Sequence, residues 1–183
     1  MSELRTNKIY PRDGLPAGAS GGIIQVVQTV ITNAFTQAAT TSLALISGME
    51  VTITPQSSSN KILVMATLNA SVGASYGSHY LTLRRNGTTD IFIGDAAGSR
   101  NRASISLQGP LFYDFGAPDW GPGQGSITYL DSPATTSPTT YGLYQAETDG
   151  NGNILYVNRA PGDTDAIQYN RTASSITVME ISG

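Results

Sequence analysis

Apolar and polar residues alternate in short runs along most of the chain, and turn-forming residues separate the runs. The segment MEVTIT (49–54) shows the pattern clearly, because its apolar residues occupy every second position. A period of two residues indicates a strand with one buried face. No window places apolar residues at i, i+3, i+4 and i+7 with capping residues at its ends, so the sequence predicts almost no helix.

About ten strands are predicted, with turn signals between them. They are 23–32, 43–55, 57–72, 79–85, 88–94, 103–108, 126–130, 139–147, 153–159 and 174–181. The dipeptide Asn86-Gly87 is the strongest hairpin signal, and TDGNG (148–152) is interpreted as a second hairpin turn. Many short antiparallel strands at such spacing predict an all-β protein, either a sandwich or a barrel.

The first 22 residues differ from the rest of the chain. They hold five charged residues and end in PAGASGG, a composition typical of a flexible linker. We therefore predict an extended arm and Gly-rich hinge over 1–22 and a β domain over 23–183. The alternative is a disordered leader.

Composition and charge exclude several classes of protein. The net charge of −3 gives no basic surface for nucleic acid. The apolar runs are far shorter than the roughly 20 residues of a membrane-spanning helix, and the opening MSELRTNKIYPRDG predicts no signal peptide. With no cysteine, disulfides and thiol chemistry are excluded. We expect no nucleic-acid partner and no membrane insertion.

Residues for catalysis or metal binding are sparse. The single histidine, His79, has no G-x-S-x-G serine motif to work with, so we interpret it as a surface or interface histidine with satisfied hydrogen bonds. The aspartates lie in turns, where aspartate is common. The segment 149–153 resembles the first half of a calcium loop but lacks the glycine and glutamate that such a loop requires. The sequence predicts no catalytic residues, no metal, no cofactor and no enzyme activity.

Two features suggest binding surfaces. The twelve-residue connection 114–125 is long for a loop without structure of its own, and such connections are usually functional or interfacial. Aromatic residues in and near it could stack on a sugar or fill a subunit interface, and both readings stay open: Tyr113, Phe115, Trp120 and Tyr129. Strand 23–32 is apolar on both faces over part of its length, and HYLTL (79–83) and ITVMEI (176–181) are similarly rich in apolar residues, which indicates a partner subunit.

Several segments resemble small virion proteins of tailed phages, particularly marine and cyanobacterial ones. The quoted segments are ELRTNKIYPRDGLP, GGIIQVVQTV, GMEVTITPQSSSNKILVMATL, IGDAAGSRNRAS, TYLDSPATTSPTTYGL and RTASSITVMEI. The closing strand 174–181 is also similar to the last strand of trimeric C1q/TNF-like jelly rolls. These resemblances imply an antiparallel β-sandwich of the jelly-roll type, a homotrimer, and a location in the virion.

The resemblances also imply roles for particular residues. An aromatic layer on the trimer axis would use His79, Tyr80, Tyr141 and Tyr144. The arm would attach to other virion proteins of the tail, fibre or capsid through Leu4, Arg5, Ile9, Tyr10, Arg12 and Leu15.

Two functions from different classes follow. The first is a trimeric jelly-roll knob of a tail fibre or other surface appendage, anchored by its arm and able to contact a host surface glycan. Within that class the alternative is a capsid decoration or cement protein. The second is a soluble, monomeric carbohydrate-binding module, which would need neither the arm nor a trimer.

Overall fold

The computed structural model of the chain describes residues 22–73, 78–108, 121–148 and 150–183. Within these ranges the chain forms eleven β-strands and no helix. The strands are β1 (Ile23–Ile31), β2 (Phe35–Gln37), β3 (Ala44–Ile53), β4 (Lys61–Val72), β5 (Ser78–Arg85), β6 (Thr89–Ile91), β7 (Ile105–Gln108), β8 (Gly123–Asp131), β9 (Thr139–Glu147), β10 (Leu155–Val157) and β11 (Ser174–Ile181).

The strands form two antiparallel sheets. In the six-stranded sheet the twelve-residue β4 is central: β8 pairs with one edge, and β11 and then β10 pair along the other. Strand β1 lies outside β11, and β2 lies outside β10. The five-stranded sheet has the order β3, β9, β5, and strands β6 and β7 share the remaining edge of β5.

Alternate residues of the strands meet between the two sheets and form the core. In β4 the side chains of Ile62, Val64 and Leu68 are fully buried, while their neighbours point to the other face. Leu81 and Leu143 approach from the five-stranded sheet. Two sheets that bury one face each against the other make a β-sandwich, so the predicted antiparallel β-sandwich of the jelly-roll type is confirmed.

The strand predictions agree with the structure at all ten positions, and β2 is the strand that the sequence did not indicate. The interpretation of 148–152 as a hairpin turn is wrong. Strand β9 lies in the five-stranded sheet and β10 in the six-stranded sheet, so this connection crosses from one sheet to the other. The predicted boundary between 1–22 and 23–183 stays a prediction, because residues 1–21 lie outside the described ranges.

The hairpin predicted at Asn86-Gly87 is confirmed and joins β5 to β6. Both residues have positive φ angles, 52° and 76°, as a type I′ turn requires. The turn is also tied to β9: the Asn86 amide donates to the Thr140 carbonyl at 2.7 Å, and Asn86 Oδ1 accepts from the Thr140 amide at 2.9 Å. Local turn chemistry and tertiary contacts therefore favour the same conformation.

Replacing Gly87 with Ala is expected to lower the free energy of unfolding by about 1–2 kcal/mol. The new Cβ would carry the strain of a positive φ and would lie 3.3 Å from Tyr144 Oη. Urea unfolding measures the loss. Gly98→Ala is the matched control, because Gly98 also has a positive φ but a Cβ there meets nothing within 4 Å. Equal losses in the two variants would contradict the contribution of the Tyr144 contact.

Candidate functional site

His79 is fully buried at one end of the sandwich and is held at both ring nitrogens. Nδ1 lies 2.7 Å from Gln145 Oε1, and Nε2 lies 2.8 Å from the carbonyl oxygen of Asn153. Gln145 in turn donates from Nε2 to the carbonyl of Ala38 at 3.2 Å. Each ring nitrogen of His79 therefore has a polar partner, but the predicted surface position is wrong in the single chain, because the ring lies inside the sandwich.

Glu147 occupies the position opposite His79 in the pairing of β5 with β9, and it is also buried. Its carboxylate accepts hydrogen bonds from the backbone amides of Gly152 at 3.2 Å and Asn153 at 2.9 Å. These bonds, together with that from His79 to the Asn153 carbonyl, fix the connection that crosses between the sheets.

Tyr141 is buried at the opposite end of the sandwich. Its hydroxyl donates to Asp131 Oδ2 at 2.7 Å, and Arg85 Nη1 donates to the same oxygen at 2.7 Å. Burial, followed by the hydrogen bond and the charge of Asp131, raises the pKa of Tyr141 far above its usual range. Tyr141 therefore stays a hydrogen-bond donor, and the three side chains link β8 of one sheet to β5 and β9 of the other.

The four residues proposed for a trimer axis all belong to the five-stranded sheet, but they do not share one surface. His79 and Tyr141 point into the core and have no exposed surface in the single chain. Tyr80 and Tyr144 are half-buried on the outer face, where the Arg84 guanidinium lies 5.2 Å from the Tyr144 ring centroid. The trimer-interface assignment stays a prediction, and only Tyr80 and Tyr144 have surface to offer it.

Of the four aromatic residues proposed as a ligand platform, Tyr129 is in the described part of the chain. Its ring lies 5.4 Å from that of Phe92, at an interplanar angle of 37°. Tyr113, Phe115 and Trp120 lie outside the described residues, as do the six arm residues Leu4, Arg5, Ile9, Tyr10, Arg12 and Leu15. The ligand-platform and arm predictions therefore stay predictions.

No group of three or more histidine, cysteine or acidic side chains is placed to hold a metal ion within the ranges that the structure describes. A helix long and apolar enough to cross a membrane is likewise not found among the described residues.

The outer face of the six-stranded sheet is apolar where an exposed sheet face is usually polar. The strand register aligns four residues across β1, β11, β4 and β8 in one row: Val26, Met179, Leu63 and Leu130. Val26 is 54% exposed and Leu130 is 43% exposed, although both are large aliphatic side chains. The row therefore crosses the whole width of the sheet at this level.

Two further rows lie on one side of this row, and on its other side the row of Ile23, Ile181 and Lys61 carries one charge. The two further rows are Gln28, Thr177, Met65 and Thr128, and Val30, Ser175, Thr67 and Ser126. We call the twelve residues of the three four-residue rows the uncharged face, because none of them carries a charge and six are aliphatic or methionine. Within it Gln28 Nε2 donates to Thr177 Oγ1 at 2.8 Å, so part of the polar surface is already paired.

The corresponding outer face of the five-stranded sheet is polar and charged. There the register aligns Glu50, Gly142, Arg84 and Asp90 across β3, β9, β5 and β6. Arg84 and Asp90 form a salt bridge at 2.6 Å. The same chain thus presents one face suited to water and one face that resembles the inside of an interface.

A groove of about 610 Å³ lies beside the uncharged face, between the edge formed by β1 and β2 and the bulged part of β3. Thr29, Asn33, Phe35, Gln37 and Gly48 are among the residues that line it, and the lining contains no charged side chain. Gln37 spans this edge: its Nε2 donates to the Leu45 carbonyl at 2.9 Å, and its Oε1 accepts from the Ser47 amide at 3.1 Å.

Sequence reasoning found part of the uncharged face and missed the rest. The excess of apolar residues in 23–32 correctly indicated unsatisfied apolar surface on β1. The apolar segment 176–181 gave a similar signal for Met179. Met65 and Leu130 gave none, because each lies in a strand whose other face is the core. Only the pairing register shows that these residues lie beside Val26 on one surface.

The fold defines an all-β sandwich protein, and one of its two sheets leaves apolar side chains exposed on its outer face. Comparison with protein-family models finds no match, and comparison with curated proteins finds none either. Among solved structures, the chain is similar to the crystal structure of the infectious bursal disease virus VP2 subviral particle, at 10% identity and a TM-score of 0.39. It is also similar to the structure of the infectious bursal disease virus Gx strain, at 12% identity and a TM-score of 0.35. Each match covers 98% of this chain but less than half of the viral chain, 46% and 45% respectively.

Proposed function

We propose that this chain is a structural protein of a phage virion, and that it works by assembling with copies of itself and with other virion proteins. The observation that supports an assembly role is the uncharged face, which leaves apolar side chains in water on one sheet while the other sheet is charged. The virion location rests on the sequence resemblance to small phage virion proteins. Buried polar side chains such as His79 and Tyr141 are engaged in holding the sandwich together.

In its finer form the proposal is a homotrimeric knob on a tail fibre or other appendage, attached through residues 1–22 and able to contact a host surface glycan. The charged outer face of the five-stranded sheet would then remain in solvent, because its Arg84–Asp90 and Arg84–Tyr144 contacts are compatible with water. No enzyme activity and no cofactor belong to this proposal. The alternative within the same class is a capsid decoration protein, which would occupy the shell instead of the tail.

The proposal is tested by complementation of a phage whose copy of this gene is deleted. Epitope-tagged full-length chain is expected to copurify with the particles and to be labelled at the tail by immunogold microscopy. A chain lacking residues 1–20 is expected to fold but to be absent from the particles, because its attachment segment is missing. Full-length protein that stays out of purified particles would overturn the virion role. Normal incorporation of the truncated chain would overturn the role of the arm, and label on the shell would favour the decoration protein.

A further inference from the structure

We infer that the uncharged face is the surface that contacts a second copy of this chain. The sequence resemblance placed the self-contact on His79, Tyr80, Tyr141 and Tyr144, all in the five-stranded sheet. The structure instead leaves the uncharged face on the six-stranded sheet, on the opposite side of the sandwich. The inference rests on the proposed function only in requiring several copies of the chain to meet.

The size of this surface fits a contact between protein subunits. Four strands at about 4.8 Å spacing give a width of about 19 Å, and the three rows, which span residues 26–30 of β1, give a length of about 17 Å. With the adjoining three-strand row of Ile23, Ile181 and Lys61, the surface measures about 500 Å² per copy. Two copies would cover about 1,000 Å², which is the least that a specific protein interface needs.

The chemistry of the face favours a second copy over a partner selected by charge. The three rows contain no charged side chain and Lys61 lies only at their margin, so charge complementarity with another protein would contribute little here. Two identical faces can meet without like charges opposing each other, and the apolar row of one can cover the apolar row of the other. Methionines such as Met65 and Met179 adapt their shape to a facing surface.

The edge strand β1 strengthens this inference. In the described part of the chain, β1 pairs with β11 on one side and has no strand neighbour on the other. Its sequence, IIQVVQTVI, contains no charge and no proline, and Ile23, Val26 and Val30 are each more than half exposed. Proteins usually protect such an edge with lysine, proline or a covering segment, because it can pair with another chain. Contact with a second copy would cover this edge together with the face.

The test is the mass of the full-length protein in solution, measured by light scattering after size exclusion at micromolar concentration. Because the contact joins two like faces, it closes at two copies, and wild-type protein is expected at about 38.4 kDa, which is twice the chain mass of 19.2 kDa. A mass of about 57.6 kDa, three times the chain mass, would favour the homotrimer of the proposed function through two different surfaces and would overturn this contact. Val26→Lys and Leu130→Lys lie at opposite ends of the apolar row, and each is expected to reduce the mass to 19.2 kDa. Thr52→Lys is the matched control: Thr52 is an exposed residue of β3 on the outer face of the five-stranded sheet, and the wild-type mass should be retained.

Circular dichroism and thermal unfolding verify that the lysine variants are folded. Val26→Thr and Leu130→Thr provide a second pair that introduces no charge, and each is expected to raise the dissociation constant at least tenfold. A monomeric wild-type protein would overturn the inference. Wild-type association that survives both lysine variants would also overturn it, while leaving the proposed virion role intact. Loss of association in Thr52→Lys alone would place the contact on the five-stranded sheet and overturn it as well.

Discussion

Replacing Asp131 with Ala is expected to lower the free energy of unfolding by about 3–5 kcal/mol. The carboxylate is 7% exposed and accepts hydrogen bonds from both Arg85 and Tyr141. Its removal leaves the fully buried Tyr141 hydroxyl without this acceptor and the Arg85 guanidinium without its counterion. Arg85 is 24% exposed and can reach water, so most of the loss comes from the tyrosine and from the missing link between the sheets. Urea unfolding at neutral pH measures the effect.

Tyr141→Phe is the matched variant for this network. It removes the hydroxyl but leaves the Asp131–Arg85 ion pair, so a smaller loss of about 1 kcal/mol is expected. The double variant should lose less free energy of unfolding than Asp131→Ala and Tyr141→Phe lose together, because each single variant already removes the same hydrogen bond. Additive losses would contradict a direct Tyr141–Asp131 interaction.

The same network predicts an effect at alkaline pH. The pKa of Tyr141 is higher in the folded protein than in the unfolded chain, where it is about 10. The tyrosine therefore contributes its full stabilisation of the fold at pH values below about 10. Above that pH an unfolded tyrosine ionises while the buried one does not, so the contribution is lost as the pH rises. The stability difference between wild type and Tyr141→Phe should therefore shrink above about pH 10.

Replacing Glu180 with Gln is expected to lower the free energy of unfolding by about 2–4 kcal/mol at neutral pH. Glu180 is fully buried at the end of β11, where Oε1 accepts from Asn60 Nδ2 at 2.5 Å and from the Gln56 amide at 2.7 Å. Oε2 accepts from Gln25 Nε2 at 2.6 Å. A glutamine side chain has one acceptor oxygen, and its amide group would face donors that need an acceptor.

The Glu180 network also makes stability depend on pH in the acidic range. Burial alone would raise the pKa of Glu180, but the hydrogen bonds from Asn60, Gln25 and the backbone outweigh it and hold the pKa below its usual value. The pKa of Glu180 is lower in the folded protein than in the unfolded chain, where it is about 4.3. The carboxylate therefore stabilises the fold fully above that pH, and this stabilisation is lost as the pH falls below it. The difference between wild type and Glu180→Gln should therefore narrow below about pH 4.

Urea unfolding of the two proteins between pH 3 and pH 7 measures this difference. Glu50→Gln is the control, because Glu50 is exposed on β3 and its replacement should change stability by less than about 0.5 kcal/mol. A constant difference between wild type and Glu180→Gln across this range would contradict the role of the buried carboxylate.

Much of the fold follows from local sequence patterns. Strands β3 and β4 are long enough for their alternation to be recognised, and Asn86-Gly87 has the conformational preferences of its turn. Strand β2 has only three residues, too few for a period to be visible. It exists because Phe35–Gln37 pairs with β10 and because Gln37 bonds to β3, neither of which a local pattern reveals.

The roles of the buried polar residues could not be predicted from the local sequence pattern. Glu180 continues the inward-facing series of Ile176 and Val178, a position where a charged residue is seldom found. Asn158 is also fully buried and has a φ of 59°. Its Nδ2 donates to the carbonyls of Ile31 and Asn33, each at 3.0 Å, from more than 120 residues away along the chain. Such roles depend on partners that only the folded chain brings together.

The sequence pattern by itself determined that the chain is all-β, where ten of the eleven described strands lie, and that β1 carries more apolar surface than one core can use. The tertiary structure decided which strands are neighbours, that 148–152 crosses between sheets, and that Val26, Met179, Leu63 and Leu130 form one row. The physical reason for this division is that the alternation of apolar and polar residues assigns each residue only to one of the two faces of its own strand. The register between distant strands, fixed by long-range pairing and core packing, decides which residues share a surface.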